Sequence, residues 1–329
     1  MDLSGSPRIV STDSAEKEDN NMRLPPLRRR ISADLSPNPP RVVLPVDIKS
    51  YSSHRLDWST EPSSTDAVAP AVLRLVTWNV DFMTPDAERR VTCILDHLQE
   101  TVLAGDSSPS CILLQELKED SFEELCQHRW VREHYAITPP NVESWKSYYG
   151  VATLVSRNVR ASNAQRVHFT NSHMGRIALF VDIEMSITGS DETRVVRIAN
   201  THLESLPVGE RRRPTQLQTI ADKLREADVT GGGIVGGDMN MIGPADQDIH
   251  VRAGLQDACD DPEAVTWGFQ PPTRFSPGRL DRVFYVGEHL EVAPVEVIGK
   301  GLTVMNSGEW ASDHYGLATT VKLRSLRAA

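Results

Sequence analysis

Short apolar runs along this chain stop, again and again, on a carboxylate, an amide or an imidazole. Residues 72–76 lead to Asn79 and Asp81, 111–114 to Glu116, 195–199 to Asn200 and His202, and 234–235 to Asp238 and Asn240; later come Asp281 and the pair Asp313 and His314. A short apolar run bounded by polar residues reads as a buried strand. A strand ending on such a group projects it from the sheet edge into a cleft, where reactive groups on α/β scaffolds sit. Each ending alone has a plainer explanation, since Asp and Asn terminate strands by bonding to local backbone. Their repetition points to one shared site.

Between the strands the apolar period changes to that of amphipathic helices. Residues 85–103 place Val91, Ile94, Leu95 and Leu98 on one face and are closed by Gly105. Further helices are predicted over 121–134 and 210–227, the latter only if Pro214 falls in its first turn. Strands are predicted near 151–156, 177–184, 195–202, 280–286, 295–298 and 316–321. They cluster without the strict β-α-β rhythm of a parallel sheet, and no repeat of solenoid or propeller period is present. The expectation is one α/β domain over residues 71–329, built of two mixed sheets packed face to face with helices outside.

Residues 1–70 read as a disordered tail, because nine of the 21 prolines and many serines fall there, with too little apolar surface to offset the entropy of ordering. Within it, Arg28-Arg29-Arg30-Ile31-Ser32 has the composition of a basophilic kinase site or part of a nuclear import signal, although such runs are commonly only solvated. Net charge is −10, from 35 Lys+Arg against 45 Asp+Glu; nine and ten of these lie in the tail, which leaves 26 against 35, or −9, beyond it. So acidic a domain does not coat nucleic acid through a long basic face, yet it can grip a single phosphate. The four cysteines form no CxxC pair, so neither a disulfide framework nor a zinc cluster is indicated and a reducing compartment, nucleus and/or cytoplasm, is expected. The acidic N-terminus lacks the apolar core of a signal peptide, so a secreted protein is not expected. The longest apolar runs are far below the roughly 20 residues of a membrane-spanning helix, so no membrane role is expected either.

The segments Thr77-Trp78-Asn79-Val80-Asp81, Leu114-Gln115-Glu116, Asn200-Thr201-His202-Leu203, Gly237-Asp238-Met239-Asn240 and Ser312-Asp313-His314 resemble, in order and approximate spacing, the motifs of the endonuclease/exonuclease/phosphatase superfamily. The resemblance spans about residues 72–323 and implies a four-layer α/β/β/α sandwich with a magnesium-dependent phosphoesterase site. Mg²⁺ takes oxygen ligands, only one or two of them protein carboxylates. The resemblance implies Glu116 as the principal ligand of Mg²⁺ or Mn²⁺, with Asp81 close by and Asp313 as a weak or water-mediated ligand. It implies that Asp238 orients or deprotonates the attacking water, while Asn79 and Asn240 hold the phosphate and neighbouring carboxylates. His314 would donate to a phosphoryl oxygen with Asp281 orienting it and keeping it cationic. His202 resembles a second phosphate donor. Two plainer readings stand beside these: Asp81 opening the turn before Met83-Thr84-Pro85, and Asp313 capping local backbone.

Side features resemble the tyrosyl-DNA phosphodiesterase branch of that superfamily: His202-Leu203-Glu204-Ser205 followed by Arg211, Arg212 and Arg213, the stretch Asn171-Ser172-His173-Met174-Gly175-Arg176, and Thr266-Trp267 with Gly278-Arg279-Leu280-Asp281-Arg282. Gly268 departs from the branch, which carries Asp after that Trp, and no ubiquitin-binding helical module is evident. The resemblance implies a monomeric enzyme acting on DNA 5′ ends with tyrosyl adducts, the lesion of abortive topoisomerase II cleavage. Trp267 and Arg213 are the candidates for substrate binding, since bases stack on aromatics and guanidinium forks bind phosphate. A solvated helix face for the arginines and a core anchor for Trp267 are the plainer readings. A deadenylase-like or small-molecule phosphoesterase, and a catalytically silent scaffold, are the alternatives.

Overall fold

Alternate residues of the inner strands face different cores, which is what divides the molecule into layers. In Val72–Asn79, Leu73 and Leu75 enter a core shared with Val181, Ile183, Val196, Ile198 and Ile234, whereas Val76 and Trp78 join Val91, Ile94, Leu95 and Phe122. On the other flank Phe180, Ala199, Val235 and Phe284 pack against Leu217, Ile220 and Ala221 of the helix Arg213–Lys223. Because the inner strands are covered on both faces they are apolar over most of their length, and this made them readable as strands. The order of layers is helices, sheet, sheet, helices, the four-layer sandwich expected.

The computed structural model describes residues 42–60, 67–103, 108–259, 261 and 263–325. One sheet has seven strands, in the order Val43–Pro45, Ala161–His168, Ile177–Ser186, Thr193–His202, Gly232–Asp238, Asp281–Val286 and Gln256–Asp257. The other has nine: Leu290–Val292, Gly316–Leu323, Val72–Asn79, Ser110–Lys118, Tyr149–Ser156, Tyr135–Thr138, Lys49–Ser52 and Asp57–Ser59, with Glu296–Ile298 also on Gly316–Leu323. Each sheet is mixed, with a parallel pair at its centre: Thr193–His202 beside Gly232–Asp238, and Val72–Asn79 beside Ser110–Lys118. The two pairs face one another across the inter-sheet core.

The boundary placed near residue 70 is corrected. Strands Val43–Pro45, Lys49–Ser52 and Asp57–Ser59 lie before it and extend both sheets. As strands of three or four residues at the margins of the sheets they need few apolar residues, so their composition resembles a loop. The basic run Arg28–Arg30 and the rest of residues 1–41 lie outside the described residues. The helix over 121–134 is two, Glu119–Gln127 and Arg129–His134, broken where His128 turns extended at ψ 124°. The last long helix is shorter than expected, Arg213–Lys223, with Pro214 in its first turn. Among the described residues no helix is long and apolar enough to cross a membrane, and all four cysteines are free thiols.

Candidate active site

Strand register brings the first three polar endings together. His202 lies opposite Asp238 in the parallel ladder, and Asp238 lies opposite Asp281 in the antiparallel one, so the three form a row across one sheet edge. Gly237 makes the row possible: its φ of +148° suits no L side chain, and a Cβ there would run into the Thr201 carbonyl oxygen. The facing sheet supplies Asn79 and Glu116. Asp81, Glu116 and Asn240 all have left-handed backbone, φ 59°, 62° and 47°, a conformation that concentrates at functional sites. Beneath them Gln115 Nε2 donates to Asn200 Oδ1 at 2.9 Å, tying the two sheets together at the floor of the cleft.

His314 arrives from the loop before Gly316–Leu323 and is fixed at both ends. Trp78 Nε1 donates to its carbonyl at 3.0 Å, and its own N–H donates to Ser312 Oγ at 3.0 Å. Its Nδ1 lies 2.7 Å from Asp281 Oδ2, which leaves Nε2 facing the cleft, 3.9 Å from both Asp238 Oδ2 and Asp313 Oδ1. Thr266 Oγ1 accepts from the backbone N–H of Asp281 at 3.0 Å, while Trp267 Nε1 donates to Asp313 Oδ2 at 3.0 Å. The Thr-Trp pair therefore sets two carboxylates at once. Gly268 follows at φ +106°, with Pro277 Cα 2.8 Å from where a Cβ would stand, so an Asp cannot be accommodated there without strain.

Asp238 is held on both oxygens. Asn79 Nδ2 donates to Oδ2 at 3.1 Å and the Asn240 N–H donates to Oδ1 at 2.9 Å. His202 stands 3.3 Å from Oδ2 through Nε2, and its Nδ1 lies 2.9 Å from Arg176 Nη1. A guanidinium only donates, so Nδ1 is the acceptor and the proton sits on Nε2, toward Asp238.

The charges follow from this packing. Burial alone would lower His314, yet Asp281, Asp313 and Asp238 together hold it well above the ordinary imidazole value, so it is a cation. Burial, then the Arg176 and His314 charges, push His202 well below that value, so it is neutral. Burial and then the Asp313 charge push Glu116 up to about 7, against the opposing pull of His314 and Arg176. Asp238 and Asp313 are raised mainly by burial, with His314 opposing in both cases.

A hard divalent cation fits this donor set. Glu116, His202 and Asp238 each offer a ligand atom within 4.8 Å of the others, and Asp238, Asp281 and His314 form a second such group. His314 is protonated and His202 has committed both nitrogens, so the carboxylates Glu116 and Asp238 are the usable ligands, with Asp313 close at hand. Carboxylates this crowded lack cationic balance on the Glu116 side, where a divalent ion would supply it.

Three of the expected roles change. Arg213 is fully buried: Nε and Nη2 grip Asp246 at 2.8 and 2.7 Å, and Nη1 donates to the carbonyls of Glu204 and Leu206, so it ties strand end to helix and binds no substrate. Asp81 follows its plainer reading, since Oδ1 accepts from the N–H groups of Met83 and Thr84 and Oδ2 pairs with buried Arg90 at 3.4 Å. Trp267 is half-buried with its N–H spent on Asp313, so it is in the first place a positioning group; Phe275 extends its apolar surface, ring centres 6.4 Å apart.

Two groups had no assigned role. Arg176, quoted only as part of a stretch of sequence, reaches His202 and lies 5.0 Å above the Tyr149 ring. Phe82 stacks on Tyr149 at 4.1 Å and meets exposed Tyr148 edge-on at 5.3 Å, making an aromatic wall beside Glu116. Glu204 supports this side: it accepts from Ser172 Oγ at 2.7 Å and from the His173 N–H at 2.8 Å, holding the loop that carries Arg176.

A buried cationic imidazole, a clamped aspartate and a cation-seeking carboxylate cluster at the mouth of a two-sheet sandwich define a phosphoester hydrolase. The model of the Endonuclease/Exonuclease/phosphatase family matches residues 76–314, and the chain belongs to that family. Within it, the chain is similar to tyrosyl-DNA phosphodiesterase 2 of Rattus norvegicus, 26% identical over 284 residues that cover 80% of this chain and 70% of the relative, and to that of Homo sapiens, 24% identical over 288 residues covering 78% and 73%. Among solved structures, D. rerio TDP2 complexed with single strand DNA product superposes with a TM-score of 0.59 at 20% identity, covering 77% of this chain and 99% of that one, and human Nocturnin with 0.51 at 18%, covering 86% and 97%.

Proposed function

We propose that the chain is a Mg²⁺-dependent phosphodiesterase that releases tyrosine from 5′-phosphotyrosyl DNA ends. The observation that carries the chemistry is His314, held cationic by Asp281 at 2.7 Å with Nε2 facing Asp238 across the cleft. Asp238, locked by Asn79 and Asn240, orients the attacking water and takes its proton. His314 Nε2–H donates to a phosphoryl oxygen as charge builds there, and Arg176 adds a second positive charge on the opposite side. Glu116, with Asp238 and Asp313 beside it, would hold Mg²⁺, which supplies Lewis-acid stabilisation of the phosphoryl charge. His202, neutral and hydrogen-bonded to Arg176, positions Asp238 rather than binding phosphate as a cation.

The tyrosyl-DNA reading rests on the named relatives and on features of the cleft. An aromatic wall of Phe82, Tyr148 and Tyr149 flanks Glu116, and the Trp267–Phe275 surface flanks Asp313, so apolar faces border both sides of the reacting centre. A phenol leaving group and an unstacked base each need such a face. The test is tyrosine release from a 5′-phosphotyrosyl single-stranded oligonucleotide with Mg²⁺ or EDTA, beside poly(A), abasic duplex and inositol polyphosphate. Metal-dependent release from the tyrosyl substrate alone is expected. Hydrolysis only of another phosphoester would overturn the substrate while keeping the chemistry.

A further inference from the structure

At the opposite end of the nine-stranded sheet lies a second polar cavity of about 550 Å³, between the Lys49–Ser52/Asp57–Ser59 hairpin and the helix Arg129–His134. Strand Tyr149–Ser156 connects the two ends: Tyr149 stands by the catalytic cleft and Arg157, just past Ser156, lines the cavity. Eight residues at about 3.3 Å each put roughly 26 Å between them. The cavity is therefore separate from the cleft.

Its lining is basic and rich in hydroxyls. Arg129, Arg132 and Arg157 converge on it, while among the described residues Glu133 is its one carboxylate and is already bound by Arg129 at 2.8 Å. Arg132 lies over the Tyr51 ring, Cζ 4.4 Å from its centre, with Nε donating to the Cys126 carbonyl. Arg157 donates only a long bond, 3.4 Å, to the Arg132 carbonyl. Among the described residues neither Arg132 nor Arg157 has a carboxylate partner, and Ser59 Oγ, also in the lining, is buried with no hydrogen-bond partner. Two guanidinium groups without a carboxylate partner among the described residues, one stacked on an aromatic ring, beside an unsatisfied hydroxyl form a donor set suited to an anion. Arg132 covers Tyr51 and Trp58 meets it edge-on at 5.8 Å, so the Tyr51 ring offers no free face to a base.

We propose that this cavity is a binding site for a phosphate group, free or carried on a small polar molecule, remote from and independent of the hydrolytic cleft. Arg132 and Arg157 take the phosphate oxygens, and Ser59 and its neighbouring hydroxyls hydrogen-bond to it. The proposal does not depend on the tyrosyl-DNA reading.

The test is equilibrium dialysis of the full chain in EDTA against inorganic phosphate, then against a sugar phosphate and a nucleoside monophosphate. Arg157→Gln removes a guanidinium with a single weak bond, so folding should survive, and Ser59→Ala is a milder companion. Wild type should bind one equivalent that Arg157→Gln weakens by at least about tenfold, the value of one charge-assisted hydrogen bond. Ser59→Ala should weaken it severalfold, and both variants should keep wild-type phosphoester hydrolysis. Tighter binding of the sugar phosphate than of inorganic phosphate would support a carried phosphate, equal binding the free ion, and the nucleoside should add nothing to either. Unchanged binding in Arg157→Gln, or loss of all bound phosphate in His314→Ala, would overturn the proposal.

Discussion

The two sides of the catalytic cleft are built on different principles. On one side Asp238, Asp281 and His314 are buried and bonded to each other or to backbone, and three carboxylates surround one imidazolium. On the other side Glu116 and Asp313 are partly exposed and have few protein donors: the Phe82 N–H at 3.1 Å for Glu116, and the Trp267 indole for Asp313. The first side is a preorganised set of proton and charge donors, in which Asp281 Oδ1 alone of the Asp238 and Asp281 oxygens is buried without a partner. The second is left short of positive charge, the condition in which a cation binds from outside. Asp238 serves both sides, as proton acceptor and as a usable metal ligand, so the contrast is between His314 and Glu116, and each of these two can be broken alone.

The largest effect should follow His314→Ala. Loss of the cationic donor should lower kcat by about 10³-fold, within the range for general acid–base groups, with Mg²⁺ affinity kept. Steady-state kinetics beside a Mg²⁺ titration would check both halves of that statement. Glu116→Gln should act in reverse. Outer-shell partners of metal ligands are each worth about 10–100-fold in metal affinity, so loss of the principal ligand should cost at least about 100-fold, partly recovered at high Mg²⁺. A smaller effect is set by pH. Because the Glu116 pKa is raised to about 7 in the metal-free protein, a proton must leave before a cation binds, and the apparent Mg²⁺ affinity should fall about tenfold per unit as pH drops below 7. Affinity independent of pH between 5.5 and 7.5, as test conditions, would place the metal elsewhere. Asp81→Asn should do least to the rate, because an Asn oxygen still accepts from Met83 and Thr84 and Arg90, losing its carboxylate, keeps the carbonyls of Val80, Thr84, Pro85 and Ala311; a rate change beyond about threefold in the folded variant would restore Asp81 to the metal site.

How much of this the sequence could say depended on packing. The inner strands were legible because both faces are buried, which removes polar residues from them. Ala161–His168, whose Ser162 and Asn163 are exposed and whose Arg166 is half-buried, was not, since a half-solvated strand near a sheet edge carries loop-like composition. The row of His202, Asp238 and Asp281 needed only three correctly placed strand ends. Arg211, Arg212 and Arg213 are alike in sequence, yet their exposure runs from exposed through intermediate to fully buried, because the first two lie in the turn before the helix and only Arg213, its first residue, meets Asp246. Asp81 showed the same limit: whether a carboxylate bonds to the backbone two residues on or to a metal is a question of side-chain direction, and spacing does not encode it.

The division of labour across the cleft is tested most directly by calorimetric Mg²⁺ titration of His314→Ala and Glu116→Gln at pH 7.5, each checked for folding. His314→Ala should bind Mg²⁺ at least as tightly as wild type, since a neighbouring positive charge is gone, while turning over about 10³-fold more slowly. Glu116→Gln should bind at least about 100-fold more weakly. Equal loss of affinity in both variants, or full affinity in Glu116→Gln, would contradict a cleft in which His314 supplies the proton and Glu116 is the principal metal ligand.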